Sequence, residues 1–213
     1  MNLARMLKKR QEDGEPVRVV LVGAGKFGSM FLSQVRTTSG MHLLGVADLS
    51  ASRALESLEN TGWDVSAQIT HSLGEALSSG RTFVTEDAES LILADNVDVV
   101  VEATGNPGAA LVHACAAIDA GRHVVMVTVE ADALAGPLLA KKAQAAGVVY
   151  SLAYGDQPAI VCEMVDWVET CGFRVVAAGK GTKYLPAYHQ STPDTVWEHF
   201  GISPEAAARG GMN

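Results

Sequence analysis

The 213 residues are 48% hydrophobic and 19% charged, a balance that suits one sizeable α/β domain with an extension and excludes a disordered or fibrous chain. The formal charge of −8 argues against nucleic acid or an anionic membrane as a partner, because phosphate-rich surfaces select clustered Lys and Arg; small molecules are the expected partners. Cys115, Cys162 and Cys171 lack C-x-x-C or metal-ligand spacing, and no long apolar segment or cleavage-like site stands near the start, so the expected setting is a reducing cytoplasm.

Residues 1–16 read as an arm, helical around 2–12. Val-Arg-Val-Val-Leu-Val then predicts a buried strand over 17–23 that runs into Gly23-Ala24-Gly25-Lys26-Phe27-Gly28. This is a G-x-G-x-x-G turn: Gly23 for the tight turn, Gly25 for close approach of backbone to a pyrophosphate, Gly28 for packing of helix on strand. The phosphates would rest on the N-terminus of a helix predicted over 26–38. Strand, turn, amphipathic segment and an acidic residue twenty positions beyond Gly28, Asp48, together meet the contextual test for a dinucleotide site. A second strand is expected over 42–48, so Asp48 stands at a carboxyl end.

Residues 51–60 read as helix, 62–81 as a Gly- and Ser-rich insertion, and 82–85 as a short strand. Helix over 87–95, strand over 97–102, helix over 107–120, strand over 122–129, helix over 132–146 and strand over 148–153 complete the alternation. The apolar run Val-Asp-Val-Val-Val-Glu (97–102) suits a parallel strand covered on both faces. The pattern predicts a Rossmann-type, doubly wound parallel sheet over 17–154, in order 3-2-1-4-5-6. Beyond it, 155–213 read as a connecting helix to about residue 171, a strand over 173–178 and the beginning of a second α+β domain, inside which the chain is expected to stop.

Asp48 has two readings: acceptor for the adenosine ribose, which favours NAD, or cap of the helix near Ser50. Ser50 and Arg53 are placed to hold a 2′-phosphate if Asp48 turns aside, so NAD and NADP both stand. Thr104, Gly105 and Asn106 follow the fourth strand, where a loop runs beside the nicotinamide, and Pro107 suits a helix start. Lys180, Lys183, Tyr184 and His189 crowd a polar, aromatic loop. Lys holds a phosphate or polarises a carbonyl and His titrates near neutrality, so these are the candidates for substrate binding and proton transfer, Lys180, Lys183 and His189 above all. His42, His71, His113, His123 and His199 have no paired-ligand spacing and are expected to be structural; no metal ligand set is readable. A nucleotide-binding module without chemistry is the reading from a different class.

Five segments resemble the homoserine-dehydrogenase-like oxidoreductases that carry a SAF domain, and most closely the DXR-like (DRL) reductoisomerases: 23–28, Glu-Ala-Thr-Gly-Asn-Pro (102–107), 123–132, Tyr-Gly-Asp-Gln-Pro (154–158) and Gly-Lys-Gly-Thr-Lys-Tyr-Leu-Pro (179–186). The resemblance implies an NADPH-dependent conversion of 1-deoxy-D-xylulose 5-phosphate to 2-C-methyl-D-erythritol 4-phosphate, an isoprenoid step, with a divalent cation in the complete enzyme. It also implies a phosphosugar-like substrate, a longer protein with a catalytic and dimerisation domain, and a homo-oligomer. Homoserine dehydrogenases place Asn-Lys near the nicotinamide after the fifth strand, where this chain has Val129-Glu130. A homoserine- or sugar-acid-type dehydrogenase is therefore the second enzymatic reading.

Overall fold

The computed structural model describes residues 2–154, 159–179, 185–192, 195–199, 201, 203 and 205. Along it run α1 (Leu3–Glu12), β1 (Val17–Val22), α2 (Lys26–Val35), β2 (Met41–Ala47), α3 (Ala51–Asn60), α4 (Val65–Gln68), β3 (Ile69–Thr70), α5 (Leu73–Ser79), β4 (Thr82–Thr85), α6 (Ala88–Ile92), β5 (Val99–Glu102), α7 (Pro107–Asp119), β6 (His123–Met126), α8 (Val129–Ala146) and β7 (Tyr150–Leu152). Then follow α9 (Ala159–Thr170), a 3-10 helix over Pro186–Gln190, and α10 (Val196–His199). The chain divides into two units, Met1–Asp156 and Gln157–Asn213.

The first unit is a sheet of seven strands in the order β3-β4-β2-β1-β5-β6-β7, every adjacent pair parallel. Without the two-residue β3 at the edge, this is the doubly wound 3-2-1-4-5-6 order. Because side chains alternate along a strand, each buried strand supplies two cores. Val20, Val22, Leu44, Val100 and Val124 pack with Leu91, Ile92, Ala110, Ala114 and Leu139 of α6, α7 and α8. Val19, Leu21, Leu43, Val46 and Val101 pack with Leu32 and Val35 of α2 and Ala54 and Leu58 of α3. Fully burying a side chain such as Leu21 or Leu44 stabilises by about 1.5–3 kcal/mol each. The alanines of α7 at 110, 114 and 117 are all fully buried; their small side chains let that helix lie close on the sheet.

The region 62–81 is more than a polar insertion: it folds as α4, β3 and α5, with Asp64 and Ser72 accepting at the two helix N-caps. Serines and aspartates that weigh against regular structure by composition act here as caps. Helix α2 stops at Val35 rather than 38, because the hydroxyls of Thr37 and Thr38 turn back to the Gln34 carbonyl. Helix α6 ends at Ile92 rather than 95, and β5 starts at Val99, after a loop. Strand β6 ends at Met126, and α8 begins at Val129 rather than Asp132, so Val129-Glu130 is a helix start rather than a strand end. In the second unit the strand expected over 173–178 is irregular backbone. No helix of the described residues is long and apolar enough to cross a membrane.

Candidate functional site

The three glycines of the turn do different work. Gly23 has φ +100, and a Cβ there would sit 2.5 Å from the Ala103 carbonyl oxygen, so its bareness lets the loop after β1 nest against the loop after β5. A Cβ on Gly28 would drive into the Gly23 carbonyl, so Gly28 brings α2 onto its own turn. Gly25 has φ −72 and no atom within 4 Å of a would-be Cβ. It is the N-cap of α2 and makes no side-chain cap, so the first-turn N–H groups face open ground. This is a cradle that a side chain would fill, and it suits a pyrophosphate.

Lys26, exposed beside Gly25, adds a cation. Phe27 is directed into the apolar groove over β1 and β5, with Phe31, Val19 and Val101, so what it offers a ligand is its backbone N–H. Next to this turn lies a cleft of ≈ 600 Å³, bordered by Gly23, Asp48, Arg53, Thr104, Asn106 and His113 among others. It lies outside the carboxyl ends of the strands, where doubly wound sheets bind ligands.

Asp48 is not presented as an open acceptor. Its side chain is 1% exposed. Oδ2 accepts from the Ala24 N–H at 2.8 Å, and Oδ1 accepts from the Ser50 N–H at 3.1 Å and from Arg53 Nη2 at 2.6 Å. The carboxylate ties the glycine turn to the start of α3 and anchors Arg53, whose own side chain is 59% exposed. Ser50 caps α3 through its hydroxyl. On the facing wall Glu86 accepts from the Ala51 N–H, and Asp87 caps α6, with the Ser90 hydroxyl as the largest cause holding its carboxyl below the usual range. These acids are engaged, which leaves Arg53 as the cation at that end of the cleft.

The loop after β5 is held from beneath. Asn106 caps α7 by accepting from Ala109, Gly105 has φ +69, and Thr104 Oγ1 donates to Glu102 Oε1 at 2.6 Å. Glu102 is fully buried; it also accepts from Thr128 Oγ1 at 2.5 Å and from His113 Nδ1 at 3.3 Å. The reading of His113 as structural is thus incomplete: it borders the cleft and is paired to a buried carboxylate. Two signals for this pair are in the chain, an acid closing the apolar run 97–102 and a histidine two helical turns after Asn106. Lys180, Lys183 and Tyr184 lie outside the described residues. His189 is exposed on the 3-10 helix of the second unit. No group of three or more His, Cys, Asp or Glu able to hold a metal occurs among the described residues.

Residues 17–130 match the family described as an oxidoreductase family with an NAD-binding Rossmann fold, and 155–213 match the catalytic domain of oxidoreductase DRL. The chain is 25% identical over 179 residues to a 4-hydroxy-tetrahydrodipicolinate reductase of Cupriavidus necator, covering 84% of this chain and 60% of that protein. A proposed oxidoreductase from Klebsiella pneumoniae matches at TM-score 0.51 and 20% identity, over 73% of this chain and 40% of its own. Biliverdin reductase from Synechocystis sp. PCC 6803, crystallised with biliverdin and NADP+, matches at TM-score 0.47 and 21% identity, over 65% and 38%. The chain therefore spans about 60% of the curated relative's length and about 40% of the solved structures; the structural likeness is one of fold.

Proposed function

Because this chain belongs to the oxidoreductase family with the NAD-binding Rossmann fold and is DRL-like in its C-terminal part, we propose that it carries out NADPH-dependent reduction of a carbonyl in a phosphosugar-like substrate. The reaction is that of a DXR-like 1-deoxy-D-xylulose 5-phosphate reductoisomerase. The observation that carries the cofactor half is the bare Gly25 cradle opening beside the ≈ 600 Å³ cleft that Arg53 borders. Arg53 supports the phosphorylated cofactor: it is anchored by Asp48 at 2.6 Å yet keeps guanidinium donors toward solvent, and a guanidinium meets a phosphate through several hydrogen bonds at once.

In this reaction the carbon skeleton of the ketose phosphate rearranges first, one C–C bond breaking and another forming to leave a branched aldehyde, and the reduced nicotinamide, when bound, would supply a hydride to that aldehyde carbon. The chain's residues do the rest. The α2 N-terminus and Lys26 would hold the pyrophosphate, Ser50 and Arg53 would hold the 2′-phosphate, and the loop 104–106 would receive the nicotinamide half. Lys180 and Lys183 take the substrate phosphate, and His189 delivers a proton to the carbonyl oxygen as charge develops there.

The test is NADPH oxidation by the protein supplied with 1-deoxy-D-xylulose 5-phosphate, beside NADP+ reduction with homoserine. Turnover with the ketose phosphate supports the proposal. Turnover with homoserine alone moves the chain to the dehydrogenase reading, and NADPH binding with neither turnover makes it a nucleotide-binding module.

A further inference from the structure

Glu102 is a fully buried carboxylate that the hydride-transfer scheme does not use. Each of its oxygens receives a hydroxyl that itself receives an amide of the loop beside the cleft. The Gly105 N–H donates to Thr128 Oγ1 at 3.0 Å, and Thr128 Oγ1 donates to Glu102 Oε2 at 2.5 Å. The Asn106 N–H donates to Thr104 Oγ1 at 3.3 Å, and Thr104 Oγ1 donates to Glu102 Oε1 at 2.6 Å. A carboxylate only accepts, so both hydroxyl protons must point at it and both hydroxyl lone pairs must point at the loop. The third donor, His113 Nδ1, comes from α7 at 3.3 Å and belongs to a side chain on the cleft wall. Facing a carboxylate, Nδ1 is the donor of this contact. One buried group thus orients two successive elements that border the cleft, the loop 104–106 and α7.

We propose that Glu102 is a positioning residue for the cofactor: through Thr104 and Thr128 it sets the loop that receives the nicotinamide half, a role that rests on the dinucleotide reading above. Such preorganisation lowers the cost of ordering the loop when the ligand arrives. Glu102→Gln keeps the shape and breaks the direction. Its amide donates where an oxygen accepted, so one threonine hydroxyl receives two donors and its own proton is left without an acceptor. Thr128→Val removes one relay at nearly constant volume and serves as the second variant should Glu102→Gln fail to fold.

The experiment titrates wild type and both variants with two probes, NADPH and 2′-phospho-ADP-ribose, which lacks the nicotinamide, and records thermal melts alongside. The expected result is a dissociation constant for NADPH about tenfold weaker in each variant, with 2′-phospho-ADP-ribose unchanged within about twofold. Unchanged NADPH affinity in both variants overturns the proposal. Equal weakening of both probes also overturns it, because Glu102 would then only support the fold. If wild type binds neither probe, it is the dinucleotide reading that fails.

Discussion

The glycine turn separates folding from binding within six residues. Gly25 has φ −72 and ψ −156, open to any residue, and a Cβ there meets no atom within 4 Å. Gly25→Val is then expected to change stability by less than about 1 kcal/mol, a reduced unfolded-state entropy of about 0.4–1 kcal/mol offsetting a loss of similar size when Val replaces Gly at a helix N-cap. Gly23→Ala differs: it must hold φ +100 and place a methyl 2.5 Å from the Ala103 oxygen. Backbone strain of about 1–3 kcal/mol and an overpacking cost of similar size give roughly 2–6 kcal/mol, or a melting point lower by roughly 5–20 °C at this chain length. Binding reverses the order. The valine occupies the pyrophosphate space and removes charge-assisted hydrogen bonds of about 1.5–3 kcal/mol each, so NADPH affinity falls at least about a hundredfold. Thermal melts followed by NADPH titration read both quantities. A Gly25→Val protein that melts as early as Gly23→Ala, or that binds NADPH like wild type, refutes the reasoning.

Arg53→Ala is expected to weaken NADPH by about ten- to a hundredfold while leaving NADH within about twofold, measured by calorimetry; equal losses would contradict the 2′-phosphate role. Asp48→Ala removes the acceptor from the buried Ala24 N–H, and urea unfolding should show a loss of about 2–3 kcal/mol, where an unchanged midpoint would show the turn holding itself. Asn106→Ala deletes the α7 cap and should cost about 1 kcal/mol by the same assay. Lys180→Ala and Lys183→Ala should raise the KM for the phosphorylated substrate with NADPH affinity unaltered; unchanged KM values would remove both from the substrate site.

The sheet was legible because its signals are local. Apolar runs at 17–22 and 97–102, glycine punctuation at 121 and 147, and the spacing from Gly28 to Asp48 are each read in one segment. What could not be read is what depends on partners far along the chain. Asp48 carries the same fingerprint whether its carboxylate faces a ribose or, as here, the Ala24 amide and Arg53. The Glu102 network joins residues 102 and 104 to 113 and 128, from three segments. The backbone over 173–178, where a strand is expected from Phe-Arg-Val-Val-Ala-Ala, is irregular; β-propensity depends on packing against neighbouring strands.

The most direct test of the dinucleotide reading is a calorimetric titration of the chain with NADPH and NADH, its folded state checked by a cooperative melt. Saturable binding to both, with NADPH tighter by about tenfold or more, is the predicted result. A folded chain that binds neither would contradict the reading of the Gly25 cradle and its cleft.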